Sequence, residues 1–175
     1  MRTFLILLAG CGALLAPAAS AVAAGATGCE GFLWPLATEL TWMKTATAEN
    51  VASGATLASL PGDKAIELAL VPVGEVSFPA KPTSTPKPED ARTFGGFVNV
   101  GSLPTGHYQV TLSAHAWIDV IQGGKPLEAT GHTGSKDCDG IRKSVRFEVG
   151  PGPFVIQVSG SAKDSIRIAV RPAAD

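Results

Sequence analysis

The chain has 175 residues, with 14 lysines and arginines against 15 acidic residues and a formal net charge of −1. That length suits a single domain that can bury a full core without a structural metal. No basic stripe runs through the sequence and no polybasic or amphipathic helix stands out, so neither nucleic acid nor a membrane surface is an expected partner.

The chain opens with Met1-Arg2, an apolar run from Phe4 to Leu15, and the small residues Ala21-Val22-Ala23-Ala24. Charge, apolar stretch and small-residue end form the layout of a secretory signal peptide over residues 1–24, cleaved after Ala23 or Ala24. A membrane span needs about 20 predominantly apolar residues. Gly10, Cys11, Gly12 and Pro17 interrupt this run, and no second candidate follows. The expectation is a periplasmic or secreted protein with no transmembrane span after cleavage. Leu8-Ala9-Gly10-Cys11 resembles a bacterial lipobox. Lipidation at Cys11 would leave Ala13 to Ala24 as an apolar stub on the mature chain, so ordinary secretion is favoured. Cys11 then departs with the signal, leaving Cys29 and Cys138. Two cysteines in an exported chain read as one disulfide, here tying the mature N-terminus to a late loop. The alternative is two separate buried thiols.

Gly25 to Trp34 is a short lead rich in small residues. Leu36, Leu40 and Met43 then fall at helix spacing and predict a short helix, although Thr38, Thr41 and Trp42 also suit an irregular strand. From Ala65 the period becomes two: Ile66, Leu68 and Leu70 alternate up to Pro72, and Val76 with Phe78 forms a weaker piece. Pro79, Pro82, Pro86 and Pro88 punctuate residues 79–92, an extended solvated loop or polyproline-like lid inside the domain. Next come Phe94 to Val100 and the longest strand signal, Tyr108 to Ile121. Gly106-His107 turns into that run and Gly123-Gly124 turns out. Pro126 to Thr130 can pair with it. Ile141 to Val149, Phe154 to Ser159 and Ile166 to Val170 complete the series, separated by glycine- and proline-rich breakers. Short alternating strands at this spacing predict an all-β fold over residues 25–175. The form expected is a single antiparallel β-sandwich, jelly-roll-like, with about eight strands and a short N-terminal helix or irregular lead.

Alternation also predicts faces. Tyr108, Val110, Leu112, Ala114, Ala116, Ile118 and Val120 share the core side of the long run. Gln109, Thr111, Ser113, His115, Trp117 and Asp119 share the other. In the next strand Ile141, Val145, Phe147 and Val149 point inward, and Arg142, Ser144, Arg146 and Glu148 outward. Within the outward set, His115, Trp117 and Asp119 line one face over ~13 Å. An exposed indole beside an imidazole and a carboxylate can stack a sugar or aromatic ligand and hydrogen-bond its polar edge. These three residues are the candidate ligand-binding patch.

Other chemistry finds less support. His107, His115, His132, Asp119, Asp137 and Asp139 are potential metal ligands, but His115 is followed by Ala116-Trp117 and not by the His-x-His pair of metal-binding cupins. Asp137-Cys138-Asp139-Gly140 lacks the acidic ladder of a calcium loop. There is no Gly-x-Ser-x-Gly elbow and no phosphate-cradling glycine loop before a helix. Arg142 and Lys143 place two cations beside the expected bridge, where an anionic glycan could be attracted.

Gly106-x-Tyr108-x-Val110-x-Leu112 resembles the penultimate-strand pattern of many secreted sandwich modules, among them carbohydrate-binding modules and the pre-peptidase C-terminal type. The resemblance implies a sandwich with a binding or accessory role, and carries over no functional residues. The expected function is an exported, non-catalytic binding or envelope-accessory protein without a cofactor. Its partner would be a small molecule, a glycan or an envelope protein. Two alternatives are a metal-dependent enzyme on a jelly-roll scaffold, with His115 and Asp119 as ligands, and a structural subunit of an envelope complex.

Overall fold

Alternating apolar residues build two sheets that face one another, and the faces they bury form the core. The computed structural model describes residues 28–84 and 92–173. The predicted signal peptide, the Cys11 lipobox and the middle of the proline-rich stretch (85–91) lie outside the described residues. In chain order the first strands are β1 (Glu49–Val51), β2 (Thr56–Leu57), β3 (Ile66–Ala69) and β4 (Val71–Pro72). They are followed by β5 (Phe94–Val100), β6 (Gly106–Leu112), β7 (Trp117–Gln122) and β8 (Lys125–Pro126). The last four are β9 (Ala129–Gly134), β10 (Lys143–Val149), β11 (Phe154–Ser161) and β12 (Ser165–Pro172).

The first sheet runs β1-β3-β12-β6-β10-β9, and the second runs β2-β5-β11-β7-β8 with β4 also on β5. The all-β sandwich is as expected, but two details of the expectation are corrected. Twelve strands occur among the described residues, not about eight. The sheets are also mixed, because β1 pairs with β3 and β2 with β5 in parallel. The extra strands β1, β2, β4 and β8 have only two or three residues each, too few to display a period of two.

The long run from Tyr108 to Ile121 is likewise not one strand. It breaks into β6 in the first sheet and β7 in the second, joined by a corner at Ser113 to Ala116. Ser113 holds that corner to β12: its N–H donates to the Arg167 carbonyl at 3.1 Å, and its hydroxyl accepts from the Arg167 N–H at 3.0 Å. Ala114 and Ala116 keep the alternation in phase across the corner, so the inward set survives the change of sheet. Tyr108, Val110, Leu112, Ala116, Ile118 and Val120 are all buried, and Ala114 packs against them.

Between the sheets, Leu68, Val98, Leu112, Ile156 and Val158 are completely inaccessible to solvent. Each such side chain contributes about 1.5–3 kcal/mol relative to its exposed state. A second, smaller cluster forms on the outer face of the first sheet. There the helix α1 (Ala37–Lys44) lies over β12, and Leu36, Met43, Cys138, Ile141 and Ala169 are buried together. Two turns of helix are marginal alone in water. This one is held by that packing and by the disulfide between Cys29 and Cys138, which fastens the lead to the β9–β10 connection.

Gly101 shows how closely the backbones approach. A Cβ built at this position collides with the backbone carbonyl of Ala58. The Gly101 N–H donates to the Leu57 carbonyl at 2.9 Å, so the two segments cannot simply part. Gly101→Ala is therefore expected to cost about 1–3 kcal/mol, read as a lower urea midpoint at constant m-value. A cost near zero would show that the Ala58 segment yields freely.

Candidate functional site

The β9–β10 hairpin and the β6–β7 corner border a groove at the β9 edge of the sandwich, where His132 and Lys143 lie on the same side of the first sheet as the core residues Val145 and Leu112. Pairing register brings its residues together. Val145 lies opposite His132 and Lys143 opposite Gly134 on one side, while Lys143 faces Leu112 of β6 on the other. Ser135 donates its N–H to the Arg142 carbonyl at 3.2 Å, which extends the hairpin beyond β9. The resulting hollow has a volume of about 260 Å³ and is lined by His115, His132, Lys136, Arg142 and Lys143, with the 133–135 segment as its floor. Among the described residues, no carboxylate belongs to that lining. Arg142 is oriented by Nη1 donating to the Ser135 carbonyl at 2.9 Å.

Lys143 links this groove to Trp117. Its Nζ stands 4.4 Å from the centre of the Trp117 ring, close enough for a cation–π contact. Trp117 opens β7 and is 46% exposed, although it belongs to an otherwise buried strand. A bulge in β11 makes room for the indole. Gly160 adopts φ +77° there, and a Cβ would stand 3.4 Å from Trp117 Cδ1. Burial pushes the Lys143 amino group below the ordinary lysine range, and the nearby Asp119 carboxylate opposes that shift. The site therefore offers a partly desolvated ammonium, a guanidinium, a further lysine and two imidazoles beside a half-exposed indole that Lys143 already faces.

Of the three residues singled out from sequence, the structure places two at the surface. His115 and Trp117 are exposed, whereas Asp119 is only 4% exposed. The carboxylate of Asp119 accepts from the Thr83 N–H at 3.3 Å, from the Thr83 hydroxyl, and from Gln157 Nε2 at 3.2 Å. Gln157 Nε2 also donates to the Ala80 carbonyl at 3.0 Å. The described part of the proline-rich stretch thus lies on the outer face of the second sheet, pinned by Asp119 and Gln157. Alternation correctly sends Asp119 outward. It carries no information on whether another segment covers that face.

His115 and Asp119 consequently do not share one open site. Among the described residues, no group of three or more histidine, cysteine, aspartate or glutamate side chains is placed to hold a metal ion. Cys138, at the centre of Asp137-Cys138-Asp139-Gly140, has its sulfur in the bridge to Cys29. His132 and Lys136 belong to the groove but not to the predicted patch. Their signal was the β9 hairpin, and Ala129–Gly134 is too rich in glycine and threonine to show a buried face. A second hollow of about 240 Å³ lies beside the disulfide, walled by apolar side chains including Phe32, Leu36, Leu40 and Ile141. Among the described residues no helix is long and apolar enough to cross a membrane. Compared with family models, curated proteins and solved structures, the chain matches none.

Proposed function

We propose that this protein is an exported, non-catalytic binding or envelope-accessory β-sandwich, and that the groove beside Trp117 is its contact surface. One observation carries this reading. Five cationic or imidazole side chains converge on one concavity with no acid among its described lining residues, next to a half-exposed indole. Monomeric surfaces interleave charges of both signs, and a concavity of one sign concentrates oppositely charged ligands. The Asp119 carboxylate lies close enough for its field to favour the charged form of Lys143, against the effect of burial. The signal-peptide layout of residues 1–24 and the Cys29–Cys138 pair favour an oxidising compartment, periplasmic or extracellular.

A thermal-shift screen of the oxidised protein against glycans, small aromatic acids and divalent metals tests the reading. A ligand at 100 times its Kd adds about 2.7 kcal/mol to stability. Trp117→Ala is expected to abolish the ligand-induced shift and to leave the melting temperature of the free protein nearly unchanged, as surface substitutions do. A shift of full size in Trp117→Ala would place the contact surface elsewhere. A stoichiometric metal-dependent shift lost in His115→Ala would favour the metal-enzyme alternative.

A further inference from the structure

The contact-surface reading leaves the ligand open, and the side chains in the groove narrow it. We infer that the groove takes an acidic saccharide, with the anionic group held by Lys143, Arg142 and Lys136 and the sugar ring set against Trp117. This inference rests on the groove being the contact surface. Three features point to it. First, the donors suit an anion. Arg142 is already fixed through Ser135, so the rest of its planar guanidinium is presented in one orientation to a carboxylate or sulfate. Lys143 is partly withdrawn from water, and an incoming anion would offset that desolvation. Second, a hollow of about 260 Å³ exceeds what one small anion fills, and its two imidazoles can accept as well as donate hydrogen bonds. Acceptors are wasted on a bare anion and are used by ring hydroxyls. Third, Trp117 stands next to the groove with its ring centre 4.4 Å from Lys143 Nζ, and the exposed 46% of this residue gives apolar surface beside the anion-holding ammonium, against which the C–H groups of a sugar ring can rest. A nucleic acid fits less well. The chain carries a net charge of −1, and five side chains in one hollow cannot follow a phosphate backbone.

The test is isothermal titration of the whole oxidised protein at low salt. The probes are tetragalacturonate, its uncharged methyl ester, a sulfated disaccharide, sodium sulfate and a ten-residue oligo-dT. One or both acidic saccharides should bind, and the pair identifies whether the anion is a carboxylate or a sulfate. The neutral ester should bind at least about tenfold more weakly, because one charge-assisted hydrogen bond has that value. Lys143→Gln should weaken the acidic probe by about tenfold or more, and added salt should reduce binding further. Lys136→Gln, fully at the surface, gives the same reading if Lys143→Gln disturbs the fold. Equal binding of ester and acid would overturn the anionic assignment. If Trp117→Ala still abolished that binding, the contact surface itself would stand. Sodium sulfate binding as tightly as the saccharides would reduce the groove to a simple anion site, and oligo-dT binding more tightly would replace the saccharide by a nucleic acid. No binding of either acidic saccharide would also overturn the inference, while the thermal-shift screen decides the contact surface separately.

Discussion

Glu39→Ala is expected to lower the free energy of unfolding by about 3–5 kcal/mol, the usual result of removing one partner from a buried ion pair. Glu39 sits on α1 and is completely buried against the first sheet. Its Oε1 accepts from Arg171 Nε at 2.7 Å and from Gln109 Nε2. Without the carboxylate, the guanidinium and the amide would face an apolar gap under the helix. A domain of this size has a stability of order 5–15 kcal/mol, so the variant would approach the limit of folding. Urea unfolding followed by tryptophan fluorescence measures the loss, since Trp42 lies on α1 and Trp34 packs against the same cluster. The cluster is not the best possible filling of this space. Glu39 Oε2 and Gln109 Oε1 accept no hydrogen bond from the described residues. Replacing Glu39, Gln109 and Arg171 together by leucine should therefore recover most of what the single substitution loses. A loss below about 1 kcal/mol in Glu39→Ala would mean that this carboxylate does not anchor the helix, since buried charged partners normally cost more.

Removing the Cys29–Cys138 bridge by a double alanine substitution is expected to cost about 2–4 kcal/mol. The bridge joins residues 109 positions apart, so its absence releases a long loop in the unfolded chain. The folded lead keeps other attachments. The Leu33 N–H donates to Thr133 Oγ1 at 3.0 Å, and Trp34 Nε1 donates to Ser144 Oγ at 3.4 Å. The Arg146 guanidinium lies 4.3 Å from the Trp34 ring centre. The loss should therefore be uneven. In hydrogen exchange, amides of α1 and its flanks should lose protection while β5, β7 and β11 keep theirs. Equal loss in every strand would show that the bridge supports the whole sandwich and not its outer layer alone.

The sandwich is legible where strands are long and one face is greasy. Phe94–Val100 is recovered with the bounds expected, and β3, β10, β11 and β12 fall within a few residues of theirs. The helix over Leu36 to Met43 is found as Ala37–Lys44. What stays hidden is the layer outside the sheets. Gln109, Thr111, Ser144 and Gln157 occupy outward positions, yet each is buried. α1, Trp34 or the Ala80–Thr83 segment rests on the faces that carry them. A period of two separates inside from outside for a single sheet, and says nothing of a third layer. The candidate site shows the same division. His115 and Trp117 were visible as exposed residues of a strand. Their convergence with His132 and Lys136 depends on which strands are neighbours, and Asp119 is withdrawn by a partner 36 residues away in the chain.

One consequence of the sheet order concerns timing. β12 follows every other strand in the chain, yet it sits between β3 and β6 in the middle of the first sheet. Ile166 pairs with Leu68 and Val170 with Val110, so both seams close only when residues beyond 164 are available. Until then the growing polypeptide holds two separate fragments, β1–β3 and β6–β10–β9, whose open edges have no partner. Such long-range closure is slow. The first sheet therefore stays divided along two open seams until its last strand in sequence arrives, and that strand closes it from the centre.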